Sequence, residues 1–159
     1  MIRAALTSDK VSILNVAVDS GLFPAEHVGE LSEMMDNQLE AESVGHHWIV
    51  DEDEGQVLAA AYYAPEPLTD GTWNLYFIAV REALKGKGRG TALLQHVEDA
   101  LCTAAQRILL IETSGIEGLE LTRKFYLKHG YTEEARIREF YGPNDDKIVF
   151  WRKLNEAAL

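Results

Sequence analysis

Cysteine is nearly absent from this sequence. Cys102 is the one thiol, so no disulfide can form within the chain. No run of about 18 uncharged apolar residues occurs, so we expect no membrane-spanning helix. The N-terminus also lacks the apolar core of a signal peptide. Together these absences predict a cytoplasmic protein with no membrane partner. The length suits a single domain, 1–159, with one core.

Positive charge is also scarce. The chain has 15 Lys and Arg against 26 Asp and Glu, which gives a formal net charge of −11. We therefore expect no nucleic-acid partner, because phosphate-backbone binding needs a basic surface. An acidic field favours the approach of a cationic substrate such as an amine, although the same charge can serve solubility alone. The dense basic cluster is short and runs from Lys85 to Arg89.

The hydrophobic pattern predicts strands and helices in the order β-α-α-β-β-β-α-β-α-β-β. This is an α/β fold, with a mixed sheet of about seven strands and four helices. The predicted strands are Ile2–Leu6, His47–Asp51, Gln56–Ala64, Thr72–Val80, Arg107–Thr113, Tyr131–Tyr141 and Lys147–Leu154. The predicted helices are Lys10–Ser20, Ala25–Glu40, Gly88–Gln106 and Gly118–His129, the last stopped by Gly130. A polar turn with Asp145 and Asp146 at its tip is expected to join the last two strands.

The segment from Ile78 to Leu94 is the most informative part of the chain. An apolar strand leads into a loop in which Gly86, Gly88 and Gly90 alternate with Lys87 and Arg89, and a helix follows at once. Glycines allow close backbone approach, and the first helical turn offers N–H groups and positive dipole to an anion. The pattern predicts a phosphate or pyrophosphate cradle. The alternative is a plain glycine-rich connection with solvated lysines.

Two common phosphate motifs do not match this loop. No G-x-x-x-x-G-K-[ST] run exists, and neither glycine register satisfies G-x-G-x-x-G. Lys85-x-x-Gly88-x-Gly90 resembles instead the [QR]-x-x-G-x-[GA] motif of the GNAT acetyltransferases, with Lys at the first position. Phe125–Tyr131 resembles the "Y-x-K-x-G-[FY]" segment of the same family. The resemblance covers about His47 to Leu154. It implies a mostly antiparallel sheet with a splay between strands four and five.

The resemblance implies a site for acetyl-CoA as co-substrate, with no metal. In the family the loop holds the pyrophosphate, and main-chain groups of the preceding strand hold the pantetheine. Tyr126 occupies the position of the general acid that protonates the departing thiolate, and a packed aromatic is the alternative. Leu119 stands where many members carry a cofactor-binding Asn, so Ser114 is the substitute contact that we expect. The implied cofactor-binding residues are Ile78, Ala79, Val80, Lys85, Gly86, Lys87, Gly88, Arg89, Gly90, Thr91, Ser114 and Tyr126.

The base that deprotonates the amine is less well marked. Glu112 ends an apolar strand, where partial desolvation would raise the pKa of its carboxyl toward a useful value. A structural, capping Glu is the alternative. Asp70, His46 and His47 are weaker candidates, and a water chain to solvent can replace a single base. Cys102 has no neighbour that would activate it as a nucleophile, and no residue spacing indicates a metal site.

The expected activity is transfer of an acetyl group to a primary amine by direct attack, without a covalent enzyme intermediate. The alternative is an acyl-CoA-binding or regulatory module that has lost the transfer chemistry. Aromatic residues are expected around the acceptor, whose identity the sequence leaves open. The resemblance implies an acceptor site between the early helices and the last hairpin, with candidate walls at Leu22, Phe23, Pro24, Trp73, Tyr76, Phe140 and Tyr141. A homodimer is a further expectation, with Phe150 and Trp151 offering apolar surface.

Overall fold

A computed structural model describes residues 1–39 and 45–155. Seven strands form one mixed sheet in the order β1-β2-β3-β4-β5-β7-β6. It is mostly antiparallel, and β4 and β5 are its parallel pair. The strands are β1 Ile2–Ala4, β2 His47–Asp53, β3 Gln56–Pro65, β4 Thr72–Val80, β5 Ile108–Ser114, β6 Thr132–Gly142 and β7 Asp145–Lys153. The α/β class, the seven strands and the order of the elements along the chain are as the sequence predicts.

The described part of the chain contains four α-helices: α1 Lys10–Asp19, α2 Val28–Leu39, α3 Arg89–Thr103 and α4 Glu120–Lys128. Single 3₁₀ turns precede three of them, at Thr7–Asp9, Ala25–His27 and Glu117–Leu119. The predicted end of the second helix, Glu40, lies outside the described residues. None of the described helices is long and apolar enough to cross a membrane.

The structure falls into two compact units. The first consists of residues 1–39, 45–64 and 76–100. Its core is built from the inward faces of α1, α2, β2, β3 and the second half of β4. Ile13 and Met35 are fully buried there, and Trp48, Tyr62 and Phe77 pack into the same cluster. This unit carries the glycine loop and the start of α3.

The second unit consists of residues 65–75 and 101–155. The first half of β4 pairs with β5 from Thr72↔Ile108 to Leu75↔Ile111, and β5 pairs along its whole length with β7. Leu109, Ile111, Ile148 and Phe150 are almost fully buried. The parallel register ends where β4 passes from one unit into the other, in the region where the family resemblance implies the splay.

Helix α3 ends at Thr103, three residues before the predicted end at Gln106. Ala105 takes the left-handed conformation, with φ 58°, and the backbone N–H groups of Gln106 and Ala105 donate to Leu101 and Cys102. This is the hydrogen-bond pattern of a Schellman C-cap, which Gly normally occupies. Because alanine stands at the left-handed position, the sequence has no signal for the end of the helix.

Gly130 ends α4 as predicted. Its φ is 89°, and the N–H groups of Tyr131 and Gly130 donate to the carbonyls of Tyr126 and Leu127. The rings of Tyr126 and Tyr131 also meet edge to face, 6.2 Å apart. This cap therefore holds Tyr126 in place through both its backbone and its side chain.

The last hairpin differs from the prediction. Gly142 pairs directly with Asp145, so the loop is only Pro143-Asn144, and Asp145 and Asp146 lie in β7 instead of at the tip. Asn144 takes the left-handed φ of 59° in this loop, which the ring of Pro143 cannot adopt. The expected apolar surface at the C-terminus is wrong for Phe150, which is 1% exposed.

The C-cap of α3 gives a stability prediction. Ala105→Gly relieves the left-handed strain of an alanine, so we expect the free energy of unfolding to rise by about 0.5–1 kcal/mol. Ala100→Gly is the matched control, because Ala100 is exposed inside the same helix. There the change is expected to cost about 1 kcal/mol. Urea unfolding of both variants measures the difference, and destabilisation of equal size in the two would contradict the cap.

Candidate active site

The glycine loop owes its shape to two left-handed backbone positions. Gly86 and Gly88 have φ of 74° and 84°. A β-carbon built on either residue meets no atom within 4 Å. Glycine is therefore needed here for the backbone conformation, and not to make room for a neighbouring part of the protein. The open space beside both residues fits a ligand that approaches the main chain.

The first turn of α3 supplies the donors for an anion. The N–H of Ala92 donates to the Gly88 carbonyl at 3.0 Å, so the helical hydrogen bonding starts from the loop itself. The N–H groups of Arg89, Gly90 and Thr91 have no carbonyl four residues earlier inside the helix. The helix is 15 residues long, and its dipole places partial positive charge at this end. A phosphate or pyrophosphate fits this arrangement.

The three basic residues of the loop differ in their partners. Lys85 donates to the Ser20 carbonyl and forms an ion pair with Glu82. Arg89 donates to the carboxylate of Asp51 at 2.7 Å, and that carboxylate is 7% exposed. Lys87 is exposed and has no hydrogen bond or ion pair among residues 1–39 and 45–155. The uncommitted positive charge of the loop is therefore that of Lys87.

The second half of β4 leads into this loop. Ala79 is buried, and Ile78 and Val80 are half-buried. The N–H of Arg81, the next residue, donates to the Leu58 carbonyl and extends the connection to β3 by one residue. The expected role of Ile78–Val80 uses their main chain, so ordinary apolar side chains are compatible with it.

In the second unit, Tyr126 is 2% exposed. Its ring lies 5.4 Å from that of Phe150, and the ring of Phe125 lies at the same distance. Burial raises the pKa of the Tyr126 phenol well above its usual range, so the hydroxyl is protonated at neutral pH. The protonated phenol of Tyr126 can therefore donate a proton. Its surroundings are also those of an aromatic side chain packed in a core.

Glu112 lies near the end of β5, with its side chain 20% exposed. Its Oε1 accepts a hydrogen bond from Asn74 Nδ2 at 2.8 Å and forms an ion pair with Lys147 Nζ at 2.8 Å. Asn74 is fully buried in β4, and its Nδ2 donates also to Glu66 at 2.9 Å. The sequence analysis missed Asn74, Glu66 and Lys147. Of the three, only Asn74 could have been recognised in the sequence, because it is a polar residue inside an apolar strand.

The hydroxyl of Ser114 is engaged locally. It donates to the carboxylate of Asp145 and accepts from the N–H of Ile116 at 3.2 Å. Arg123 of α4 donates to the carbonyls of Ser114 and Ile116, at 3.0 and 2.7 Å. The loop after β5 is therefore pinned from two sides. Sequence reasoning missed the role of Arg123, because it depends on a contact between separate elements.

The weaker candidate bases, His46, His47 and Asp70, have partners of their own. Nδ1 of His46 shares a hydrogen bond with the hydroxyl of Tyr62. The ring of His47 stacks on Tyr63 at 5.0 Å, and burial lowers the pKa of the His47 imidazole. Asp70 lies in an exposed loop, and its backbone carbonyl accepts a hydrogen bond from Arg107.

The expected aromatic walls divide between the two units. In the first unit Tyr76 is 41% exposed and stacks on Tyr62 at 5.6 Å. In the second, Phe140 is half exposed and Tyr141 lies beside it. Burial and the negative charges of Glu112 and Asp145 raise the pKa of Tyr141 to about 12. Trp73 donates its ring N–H to Gln106 at 2.8 Å.

A family model described as an acetyltransferase (GNAT) domain matches residues 43–133. The chain belongs to the GNAT acetyltransferase family. A solved structure from Desulfovibrio desulfuricans, assigned to the same family, is similar along almost the whole chain. Its TM-score is 0.88 at 32% identity, and the match covers 96% of this chain and 98% of that one.

Two further comparisons are more distant. An uncharacterized N-acetyltransferase of Methanocaldococcus jannaschii is 26% identical over 87 residues, which are 55% of this chain and 55% of that protein. The match thus spans about half the length of this curated relative. The PaiA N-acetyltransferase of Thermoplasma acidophilum, solved in complex with coenzyme A, has a TM-score of 0.76 at 14% identity over 96% of this chain and 98% of that one. At this identity the likeness shows the fold alone.

The different partners of Lys87 and Arg89 give a prediction. Lys87→Gln is expected to weaken coenzyme A binding about three- to tenfold, to flatten its salt dependence and to leave stability unchanged. Arg89→Gln is expected to lower the free energy of unfolding by about 1–3 kcal/mol, because it leaves the buried Asp51 without its guanidinium. Calorimetric titration at two salt concentrations and urea unfolding measure the two effects.

Lys153→Gln is the control for this pair, since Lys153 is an exposed lysine of β7 outside the loop. It should change neither quantity. A loss of stability in Lys87→Gln as large as that in Arg89→Gln would contradict the distinction between them.

Proposed function

We propose that this protein is an N-acetyltransferase that moves the acetyl group of acetyl-CoA to a primary amine by direct attack. The observation that carries the proposal is the glycine loop. In a chain of the GNAT family, Gly86 and Gly88 hold left-handed conformations beside open space, directly before the N-terminus of α3. Neither feature serves packing within the described residues, whereas both suit a pyrophosphate.

Cofactor binding divides between charge and main chain. The N–H groups at the start of α3 and the ammonium of Lys87 would hold the pyrophosphate of acetyl-CoA. Lys85 and Arg89 would shape the loop through their own partners, Ser20 and Asp51. The main chain of Ile78–Val80 would bind the pantetheine as an added strand does. The coenzyme A complex of the PaiA relative supports this ligand for the fold.

The transfer step needs an amine without its extra proton. A primary ammonium has a pKa near 10, so deprotonation at pH 7 costs about 4 kcal/mol. We propose Glu112 as the group that accepts this proton, directly or through water. The free amine then attacks the thioester carbon and forms the C–N bond. Collapse of the tetrahedral intermediate breaks the C–S bond and releases the thiolate of coenzyme A, while the attacking nitrogen, positively charged after attack, loses its second proton to water and becomes the amide nitrogen.

Tyr126 would donate the proton that the thiolate takes up. Its ring is held by the cap at Gly130 and by the rings of Phe150 and Tyr131, which fixes the position of the phenolic oxygen. A fixed donor adds typically a hundredfold or more to such a step. Ser114 would contribute by shaping the loop after β5, since its hydroxyl is engaged with Asp145.

One observation favours the alternative, an acyl-CoA-binding module without transfer activity. Tyr126 is 2% exposed, and its raised pKa makes the phenol a weak acid near neutral pH. A tyrosine kept only for packing would have this environment. Both readings require acetyl-CoA to bind to the glycine loop, and they differ in whether the thiol is released.

The extent of the domain, its location, its ligands and its assembly are also proposed. We propose that residues 1–159 act as one acetyltransferase domain in the cytoplasm, with acetyl-CoA and an amine as its ligands and no metal. A homodimer is also proposed. The edge strand β6, whose residues from Thr132 to Tyr141 are all exposed, offers surface for it.

Thiol release from acetyl-CoA against a panel of amines tests the activity. We expect release that depends on one class of acceptor and falls about a hundredfold in kcat in Tyr126→Phe. Tyr131→Phe is the matched control, since it removes only the hydroxyl of a neighbouring buried tyrosine and keeps the ring that packs against Tyr126. It should retain most of the activity. Acetyl-CoA binding with no acceptor-dependent release would favour the binding module, and no binding at all would overturn both readings.

A further inference from the structure

The ion pair of Glu112 and Lys147 leaves hydrogen-bonding capacity unused on both partners. Both contacts of Glu112 use Oε1, and Oε2 has no partner among residues 1–39 and 45–155. Lys147 has three N–H donors, and Glu112 is its one oxygen partner in that part of the chain. The side chains are 20% and 12% exposed, so part of each is open to solvent.

Lys147 is held in position by more than its carboxylate. Its ammonium lies 4.2 Å from the centre of the Phe140 ring, a cation–π contact. Because the stem is pinned on β7 and the ammonium sits between a ring and a carboxylate, the charge cannot move far from Glu112. The half-exposed ring of Phe140 adds an apolar surface next to the pair.

Asn74 holds the carboxylate from the buried side. Its Nδ2 bridges Glu112 and Glu66, while its Oδ1 is buried without a hydrogen-bond partner in the structure. Buried polar atoms in native proteins are nearly always paired, so an unpaired one needs an explanation. A donor brought in by a bound molecule, or by a water that accompanies it, would satisfy this oxygen.

We infer that the acceptor is a zwitterion that carries its carboxylate on the carbon next to the amine, as a free α-amino acid does. This inference rests on the proposed acetyl transfer with Glu112 as the base. The amine of the acceptor would bind Oε2 of Glu112, and its carboxylate would bind the spare N–H donors of Lys147. The two charges of an α-amino acid are one carbon apart, and the two protein charges are 2.8 Å apart, so both pairs can form together.

A purely cationic acceptor fits this pair less well. To reach Glu112, its ammonium must approach the fixed ammonium of Lys147 with no anion to offset the repulsion. A like-charge contact of about 4 Å costs from several-fold to about a thousandfold in affinity, depending on the local dielectric. Glu66, Asp145 and Tyr141 are the other ionisable groups near the pair, and the two carboxylates offset part of this repulsion. Among the pair and these neighbours, Lys147 carries the positive charge, so it is the group that would favour an acceptor with a carboxylate.

Matched pairs of acceptors test the inference in the intact protein with acetyl-CoA. The pairs are phenylalanine with 2-phenylethylamine and methionine with 3-(methylthio)propylamine, which differ only in the carboxylate. Putrescine and an unblocked tripeptide complete the panel. We expect kcat/KM at least tenfold higher for the amino acid of each pair.

Variants of Lys147 identify the residue responsible. Lys147→Met should lower kcat/KM for the amino acids at least tenfold, mainly through KM, and leave the matched amines within threefold or improve them. Lys147→Arg keeps the charge and should keep most of the preference. Lys153→Met makes the same change at an exposed lysine of the same strand and should alter neither acceptor class.

The outcomes separate this inference from the proposed activity. Wild-type protein that acetylates the amines, putrescine or the tripeptide as well as the amino acids would overturn the zwitterion and leave the acetyltransferase standing. An equal loss for both members of each pair in Lys147→Met would show that Lys147 only supports the structure, and would overturn it as well. No acceptor-dependent thiol release with any compound would overturn the proposed activity, and this inference with it.

Discussion

Strand β4 is the constraint on which the candidate site depends. Its first half is locked to β5 by the parallel register from Thr72↔Ile108 to Leu75↔Ile111. That register brings the fully buried Asn74 beside Glu112. The strand then continues through Phe77 and Ala79, which are buried in the core of the first unit, into the glycine loop. The first half of β4 thus contacts the proposed base, and its second half leads into the proposed phosphate cradle.

The few positive charges of the protein differ in whether they already have a partner within it. Of the 15 basic residues, seven form an ion pair with a carboxylate in the described part of the chain. Arg89 is taken up by the buried Asp51, and Lys85 by Glu82 and Ser20. Charges that are already paired in the protein shape the fold, whereas an uncommitted one such as Lys87 is available to a ligand. The pair of Glu112 and Lys147 stands between these cases, because each partner keeps unused hydrogen-bonding capacity.

Two predictions of local structure from the sequence were wrong, the end of α3 and the length of the last hairpin loop. In both cases tertiary context overrode a local sequence rule. Helix α3 ends without a glycine. Ala105 takes the left-handed position after α3 that Gly130 takes after α4. The last hairpin closes in two residues, which moves Asp145 and Asp146 from the loop into β7. There Asp145 binds Ser114 and Asp146 binds Arg136. A pattern of polar residues predicts a turn but not its length, since that depends on the register of the strands it joins.

The sequence by itself determined the order of the elements, the family and the glycine loop, because hydrophobic period, glycine spacing and charge are local properties of the chain. It also placed Tyr126 and Glu112 at the ends of their helix and strand. Only the tertiary structure decided the partners of each charged side chain. Asn74 and Lys147 are 38 and 35 residues from Glu112 in the sequence, and pairing of the strands brings both to its carboxylate. Asn74 also joins Glu112 to Glu66, which is 46 residues away in the sequence. Which cation is free and which is held follows from such distant contacts, and no local pattern records them.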